Sequence, residues 1–262
     1  MSSKNCCSSA DLRKVVKEYY GKRWSTETEE CCEDSDLLSN AHQALMSELS
    51  PKKGMVVLDV GCGTGDTVLE VAEKVKPTGK AVGVDFTKEG IARAQEKARS
   101  SGLDGITEFR LAEAEKLPFE DETFDAVISE CVVCLTSDKR KVLAEKVRIL
   151  KPGGRIIMHD VISKAPMPEA IRSNRKLYCG CIGGAVSMDE YERMLKNVGL
   201  VEIKTVDYSD HIKRQLNAGI LSNALEILRN DKAFDEIVDF VRKDGIGYAL
   251  VIGTKPNDKA FK

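Results

Sequence analysis

The chain has little of what would direct it to a membrane or to nucleic acid. Among its 262 residues, no apolar run approaches the ~20 needed to cross a bilayer, so no membrane partner is expected. Charge of one sign is also missing. Forty Lys and Arg stand against 42 Asp and Glu, a formal net charge of -2, so there is no basic excess to hold a phosphate backbone or anionic lipid. The opening Met1-Ser-Ser-Lys-Asn-Cys-Cys lacks the apolar stretch of a secretory signal, and a reducing cytoplasm is the expected setting. Histidine is scarce: only His42, His159 and His211 are available as imidazole bases. There is no internal repeat and no low-complexity segment. The length suits one large α/β domain and is short for two.

Cysteine, by contrast, is abundant. Nine residues, at 6, 7, 31, 32, 62, 131, 134, 179 and 181, sit mostly in adjacent or near-adjacent pairs. In a short secreted chain that pattern reads as a disulfide framework; here it favours thiols serving as metal or metalloid ligands or as redox groups. Cys62 is different, because it lies inside a glycine-rich loop where a small side chain is needed, and it reads as structural.

From 51 to 163 short apolar runs alternate with helical periodicity, the pattern of βαβ units on a parallel sheet. Strands are expected at Met55–Val60, Lys80–Phe86, Ile106–Ala112, Phe124–Glu130 and Arg155–Val161, with helices near Asp66–Val75, Lys88–Ser100 and Asp138–Leu150. Thr87 is placed to N-cap the second helix, and Lys151-Pro-Gly-Gly154 to make a tight turn before the fifth strand. Ser187-Met-Asp-Glu190 matches a capping box opening a helix at Asp189–Val198. Two more strands follow, Val201–Tyr208 and Tyr248–Thr254, separated by a helical stretch from about Asp210 to Lys243. The organisation expected is an N-terminal arm over 1–50, helical at Leu12–Tyr20 and then a polar loop with Cys31 and Cys32; a cofactor-binding core over 51–163; and, over 164–262, a substrate loop with Cys179 and Cys181, the last strands and covering helices.

Gly61-Cys-Gly-Thr-Gly65 follows a strand and opens a helix, where glycines permit positive φ and close backbone approach to a ligand. The spacing is G-x-G-x-G, unlike the G-x-G-x-x-G suited to a dinucleotide pyrophosphate. Asp85, about twenty residues on, ends the second strand, where a carboxylate can accept ribose hydroxyls or simply face solvent. With these features in order, the chain resembles the class I S-adenosylmethionine-dependent methyltransferases over roughly 50–210. Leu58-Asp-Val-Gly-Cys-Gly-Thr-Gly65 is similar to their first motif, Glu113-Ala-Glu-Lys-Leu-Pro118 to the segment that reads adenine (usually Asp where Glu113 stands), and Leu150-Lys-Pro-Gly-Gly-Arg155 to a further hallmark. The resemblance implies a Rossmann-like, doubly wound, mostly parallel seven-stranded sheet, S-adenosyl-L-methionine as cofactor, and contacts to it from Asp59, Gly61, Gly63, Gly65, Asp85, Phe86, Glu113, Ala114 and Glu130.

Ligands in open α/β sheets bind outside the C-terminal ends of the strands. Cys131 and Cys134 directly follow the fourth strand, and Cys179 and Cys181 lie in the segment after the fifth, so both pairs are expected at the cofactor crevice; the bland reading is buried, inert cysteine. Here the resemblance narrows to arsenite S-adenosylmethionine methyltransferases. Ser129-Glu-Cys-Val-Val-Cys-Leu135 is similar to that family's S-N-C-V-x-N-L, and Cys181-Ile-Gly-Gly-Ala185 to its C-[IL]-[GA]-G-A. Tyr19-Tyr-Gly21 followed by Cys31-Cys32 resembles its cysteine-bearing arm. The resemblance implies Cys131, Cys181 and Cys32 as ligands of trivalent arsenic, with Cys31 and Cys32 joining Cys131 and Cys181 in catalysis. One departure stands out. Many members carry a further cysteine ahead of the first motif, where this chain reads Asn40-Ala-His-Gln-Ala-Leu45. Either Cys31 or Cys32 supplies a third sulfur, or methylarsenite, needing two, is the preferred substrate.

Soft thiolates select soft centres, and arsenic held by them keeps a lone pair directed away from the sulfurs. Such a substrate brings its own electrons, so transfer needs alignment and no general base. His159, expected at the end of the fifth strand beside Asp160, lines the site or merely packs there. Each transfer formally oxidises arsenic, so a reductant must follow: thiol pairs such as Cys31/Cys32 with Cys131, restored by glutathione or a thioredoxin-type partner. The function expected is methylation of arsenite or methylarsenite in arsenic detoxification. Two competing readings are methylation of another small molecule, such as a quinone precursor or a thiol, and a zinc protein using Cys131, Cys134, Cys179 and Cys181 as a four-cysteine site.

Overall fold

Short β-branched runs separated by amphipathic helices build one twisted sheet. A computed structural model describes residues 9–25, 35–210 and 234–257. Its strands are β1 (Val56–Val60), β2 (Lys80–Asp85), β3 (Thr107–Leu111), β4 (Phe124–Glu130), β5 (Leu150–Ser163), β6 (Val201–Asp207) and β7 (Ile246–Thr254), side by side as β3-β2-β1-β4-β5-β7-β6. Pairing is parallel from β3 through β5, while β7 runs antiparallel to both β5 and β6. The chain moves outward from β1 to β3 and then returns to β4 on the other side. That reversal opens a crevice above the C-terminal ends of β1 and β4.

Period-two alternation divides the core between the two faces. Leu58, Val127, Ile156 and Val251 join one cluster, which α5 (Lys139–Ile149) and α8 (Met188–Asn197) cover with Val142, Leu143, Tyr191 and Leu195. Their neighbours Val57, Ile128, Ile157 and Leu250 join the other, under α3 (Asp66–Val75) and α4 (Lys88–Ser100). Asp138 caps α5 by accepting from Lys141 N at 3.0 Å, and Ser187 caps α8 by accepting from Glu190 N at 3.2 Å. Shorter helices α6 (Glu169–Arg172) and α7 (Arg175–Cys179) follow β5, and α9 (Phe234–Arg242) precedes β7.

The seven expected strands are present, and three local expectations change. Lys151-Pro-Gly-Gly154 is not a turn ahead of β5 but a bulge within it. Phe124 pairs with Leu150 and Ala126 with Arg155, so two steps along β4 meet five along β5. Gly153 absorbs the excess at φ 74, its N–H donating to Lys255 O at 2.8 Å. β5 also continues through Ser163, because β7 starts early enough to pair Ile246 with it. His159 is therefore mid-strand, not terminal. Thr87 sits at the N-cap of α4 but gives that helix no side-chain bond, for its hydroxyl is engaged elsewhere.

The stretch through residue 50 holds more order than expected. α1 (Ser9–Ser25) runs straight through Gly21, and a second helix, α2 (Ser35–Leu49), forms where a polar loop was read. Ala41, Leu45 and Leu49 recur every four residues and are at most 4% exposed, the two leucines packed in the cluster beneath β1, β4, β5 and β7. Burying each leucine stabilises the fold by ~1.5–3 kcal/mol. Cys6, Cys7, Cys31 and Cys32, and the part of the long helical stretch from 211 to 233, lie outside the described residues.

Candidate functional site

A cavity of about 480 Å³ fills the crevice, ample for a nucleoside-sized ligand. Asp59, Gly61, Gly63, Asp85, Phe86, Glu113, Ala114 and Glu130 line one part of it, and Cys131, Cys179 and Cys181 another.

In the glycine loop, Gly61, Gly63 and Gly65 have φ of 81, 52 and 84. A Cβ at Gly61 would run into the Val132 side chain, and one at Gly63 would come within 3.1 Å of Trp24. Gly65 was expected to touch the ligand but does not line the cavity. It sits where α3 packs on α4 and β3, with Ala94 Cβ 2.8 Å and Phe109 Cε1 2.9 Å from where its Cβ would be, so close packing explains that glycine. Cys62 is buried with its sulfur against the bare Cα of Gly83, and it also lines the cavity.

Asp85 locks the loop. Its Oδ2 accepts from Gly63 N at 3.0 Å, and its Oδ1 from Thr87 N at 2.8 Å and Thr87 Oγ1 at 2.6 Å. Here is the hydroxyl that α4 does without. Oδ2 takes a single bond and so has acceptor capacity left, and Asp85 lines the cavity, an arrangement that fits a ribose hydroxyl. Glu113 is met by Arg13 of α1 at 2.9 Å, which also lies 3.6 Å from Glu115.

A buried polar chain runs behind these groups. Asp59 is pushed up to about 8, by burial first and then by the Glu130 charge, against the pull of Lys146. Lys146 is fully buried, donates to Ser129 Oγ and is driven down to about 8 by burial, opposed by Asp160 and Asp59. His42, from the unforeseen α2, bridges two carboxylates, with Nδ1 3.0 Å from Glu130 Oε1 and Nε2 2.7 Å from Glu70 Oε2. Thr67 Oγ1 donates to the same Glu130 oxygen at 3.0 Å. The Glu130 hydrogen bond is the main reason His42 rises to about 9, burial opposing it. This raised value stabilises the fold fully below pH ~6.5, the unfolded value, and the gain fades as pH rises through about 9. His42→Gln is expected to remove ~1–2 kcal/mol at pH 6 and almost nothing at pH 10. Urea midpoints at the two pH values check this, and equal losses at both would refute it.

On the thiol side the backbone is strained. Cys131 and Cys181 have φ of 53 and 69, a region that costs a non-glycine residue ~1–3 kcal/mol and clusters at functional sites. Cys131 N is fixed to His159 O at 2.8 Å, and Cys181 Sγ approaches Cys131 O at 3.7 Å. The Cys181 thiol hydrogen-bonds with the thiols of both Cys131 and Cys134. The bond from Cys181 and burial raise Cys131 well above the ordinary thiol range. The bond to Cys131 lowers Cys181, but its bond to Cys134 and burial outweigh it and raise that thiol too, while burial pushes Cys134 up to about 12. Cys179 stands apart. It packs with Val16 and Tyr178 in a separate apolar cluster, and burial alone raises it. Among the described residues, no group of three or more His, Cys, Asp or Glu is arranged to hold a metal ion.

α1 roofs the cavity. Tyr20 Oη donates to Cys179 O at 3.1 Å and lies 3.9 Å from Cys181 Sγ, and Tyr20 and Trp24 both face the interior. Tyr248 of β7 also lines the cavity and contacts the Cys131 thiol. Sequence reasoning quoted Tyr19-Tyr-Gly21 but gave Tyr20 no role, and it missed Tyr248 and His42. His159 is 2% exposed, does not line the cavity, stacks on Tyr248 at 4.9 Å and leaves both ring nitrogens without a partner among the described residues. Burial holds it below the usual imidazole value.

The methyltransferase-domain family profile matches residues 51–199. An arsenite methyltransferase of Halobacterium salinarum is 39% identical over 158 residues, 60% of this chain and 40% of that protein. One of Aquipseudomonas alcaligenes is 30% identical over 222 residues, 75% of this chain and 64% of that protein. The chain thus spans less than two thirds of either relative. The ubiquinone/menaquinone biosynthesis C-methyltransferase UbiE of Geobacter sulfurreducens is 39% identical over 106 residues, 40% of this chain and 41% of that protein. The crystal structure of the [4+2]-cyclase SpnF superposes with a TM-score of 0.69 at 20% identity, covering 94% of both chains, a likeness of fold alone.

Proposed function

Since the chain belongs to the methyltransferase-domain family, we propose that it methylates trivalent arsenic held by Cys131 and Cys181, using S-adenosylmethionine as donor. The observation that carries this reading is the pair of touching thiols, Cys131 and Cys181, in the wall of the cavity that also holds the glycine loop and Asp85. When bound, S-adenosylmethionine supplies an electron-poor methyl carbon on a sulfonium. Gly61 and Gly63 would bring backbone close to it, Asp85 would meet the ribose, Phe86, Glu113 and Ala114 would flank the adenine, and Asp59 and Glu130 would face the methionine end, all of them lining the cavity. The two sulfurs fix arsenic with its lone pair toward the cavity, and Tyr20, Trp24 and Tyr248 exclude water.

Charge favours arsenic over zinc at these thiols. Arsenic(III) with three thiolates is neutral overall, whereas zinc with four carries two negative charges. Burial and the nearby Asp160 and Glu130 already oppose negative sulfur here, and a buried net charge without partners is costly. The four-cysteine zinc alternative also needs Cys179, which lines the same cavity but packs in a different apolar cluster from the other three. A non-arsenic small-molecule substrate has the UbiE match in its favour, and under it Cys131 and Cys181 would be incidental.

Because each transfer oxidises arsenic by two electrons, a thiol reductant of the glutathione or thioredoxin type must follow. Cys31 and Cys32 are the pair proposed to relay those electrons, within arsenic detoxification in the cytoplasm. The test is incubation with S-adenosylmethionine, glutathione and arsenite or methylarsenite, then speciation of the products. Methylated arsenicals and stoichiometric S-adenosylhomocysteine are expected. A folded protein that binds the cofactor yet leaves both arsenicals unchanged would overturn the proposal.

A further inference from the structure

We propose that Cys134 supplies the third sulfur for inorganic arsenite, so that Cys131, Cys134 and Cys181 form the complete ligand set. This rests on the arsenic reading above. It concerns a residue that sequence reasoning weighed as an inert core cysteine, having left the third sulfur open between Cys31, Cys32 and none.

Three observations support it. Cys134 and Cys181 belong to one apolar cluster on which Cys131 packs, and the Cys181 thiol touches both other thiols. The Cys134 backbone is clamped on both sides. Its N–H donates to Asp160 Oδ2 at 3.0 Å, while the bare Cα of Gly184 lies so close to its carbonyl that any Cβ there would overlap it. Asp160 is in turn held by Tyr191 Oη and Val161 N. A side chain presented this rigidly is preorganised for binding, and the remaining motion falls to side-chain torsions.

The chemistry needs no redox step. Arsenous acid carries three As–OH groups. Each thiol gives its proton to one departing hydroxyl, forming one As–S bond and one water while arsenic stays trivalent. Cys131 and Cys181 line the cavity and react first, and Cys134, fully buried behind them, displaces the last oxygen. Among the described residues the three thiols are not yet arranged as a metal-holding group, so rotation of the cysteine side chains must close the set around arsenic. The finished centre is neutral, which suits its burial. With Cys131 and Cys181 in the cavity wall and Cys134 buried, the lone pair of such a centre would point into the cavity.

Methylarsenite has only two exchangeable oxygens and has no use for Cys134, which gives the residue a substrate-selective signature. X-ray absorption at the arsenic edge should count three sulfurs in the arsenite-loaded wild-type chain, and still three in the Cys31→Ser/Cys32→Ser double variant. Cys134→Ser should show two sulfurs and one oxygen, with arsenite affinity down ~10–100-fold and methylarsenite affinity nearly unchanged. Two sulfurs in the double variant, three in Cys134→Ser, or equal losses for both arsenicals would each overturn the inference. The double-variant measurement decides the matter even if Cys134→Ser fails to fold. If neither arsenical binds the wild-type chain, it is the arsenic reading itself that fails.

Discussion

Cys181→Ser is expected to lower methyl transfer to arsenite and methylarsenite alike by roughly a hundredfold or more, the scale on which misplacing a reacting centre acts. The substitution changes one atom, sulfur to oxygen, at a site with little room to spare. Cys181 is 7% exposed and lies in contact with Cys131, Cys134 and Tyr20. A hard hydroxyl cannot hold a soft centre against water and free thiols, so methylarsenite would be left on one sulfur and arsenite on Cys131 and the deeply buried Cys134, with the lone pair of neither fixed toward the donor. Cys131→Ser should behave alike, since both substrates need both sulfurs. That separates these two positions from Cys134, whose loss should spare methylarsenite. Initial rates from product speciation give the first readout, and calorimetry with S-adenosylhomocysteine the second, which should stay near the wild-type value. Normal yields from either variant would leave the cysteines incidental and return the substrate question to other small molecules.

The second large effect is expected at Asp85. Its carboxylate takes three hydrogen bonds from Gly63 and Thr87 while only 6% exposed. Asp85→Ala orphans two buried backbone N–H groups and frees the loop that must approach the cofactor. A lost hydrogen bond to a charged group costs ~1.5–3 kcal/mol. If about 2–3 kcal/mol of that appears in binding, the cofactor Kd should rise roughly 30–150-fold. Calorimetry with S-adenosylhomocysteine checks it. Arsenical binding, which uses separate side chains, should change little. An unaltered Kd would mean that the loop holds its shape without Asp85.

Strand positions were legible because each apolar run is short, β-branched and bounded by a turn or cap signal. The bulge at Gly153 was not, since only the partner strand's register reveals whether Lys-Pro-Gly-Gly ends a strand or interrupts one. α2 was overlooked although Ala41, Leu45 and Leu49 carry its period; Ser, Asn and Gln between them outweighed three apolar positions. In the site, Cys131 and Cys181 could be singled out by motif, and Asp85 by strand order. Gly65 shows the limit of motif reading. A loop glycine needed for packing and one needed for a ligand look identical in one dimension. Cys134 shows it from the other side, because burial, which argued for an inert residue, is compatible with touching the reactive thiols from behind. His42 carried no local cue: its partners Glu70 and Glu130 are 28 and 88 residues away in sequence.

One helix ties together regions that chemistry would otherwise keep separate. From α1, Arg13 grips Glu113, Trp24 stands over Gly63, and Tyr20 bonds to the backbone at Cys179 beside Cys181. Under the proposed reaction the donor and acceptor sides of the cavity therefore share α1 as a common wall, so a substitution that shifts this helix should disturb both at once.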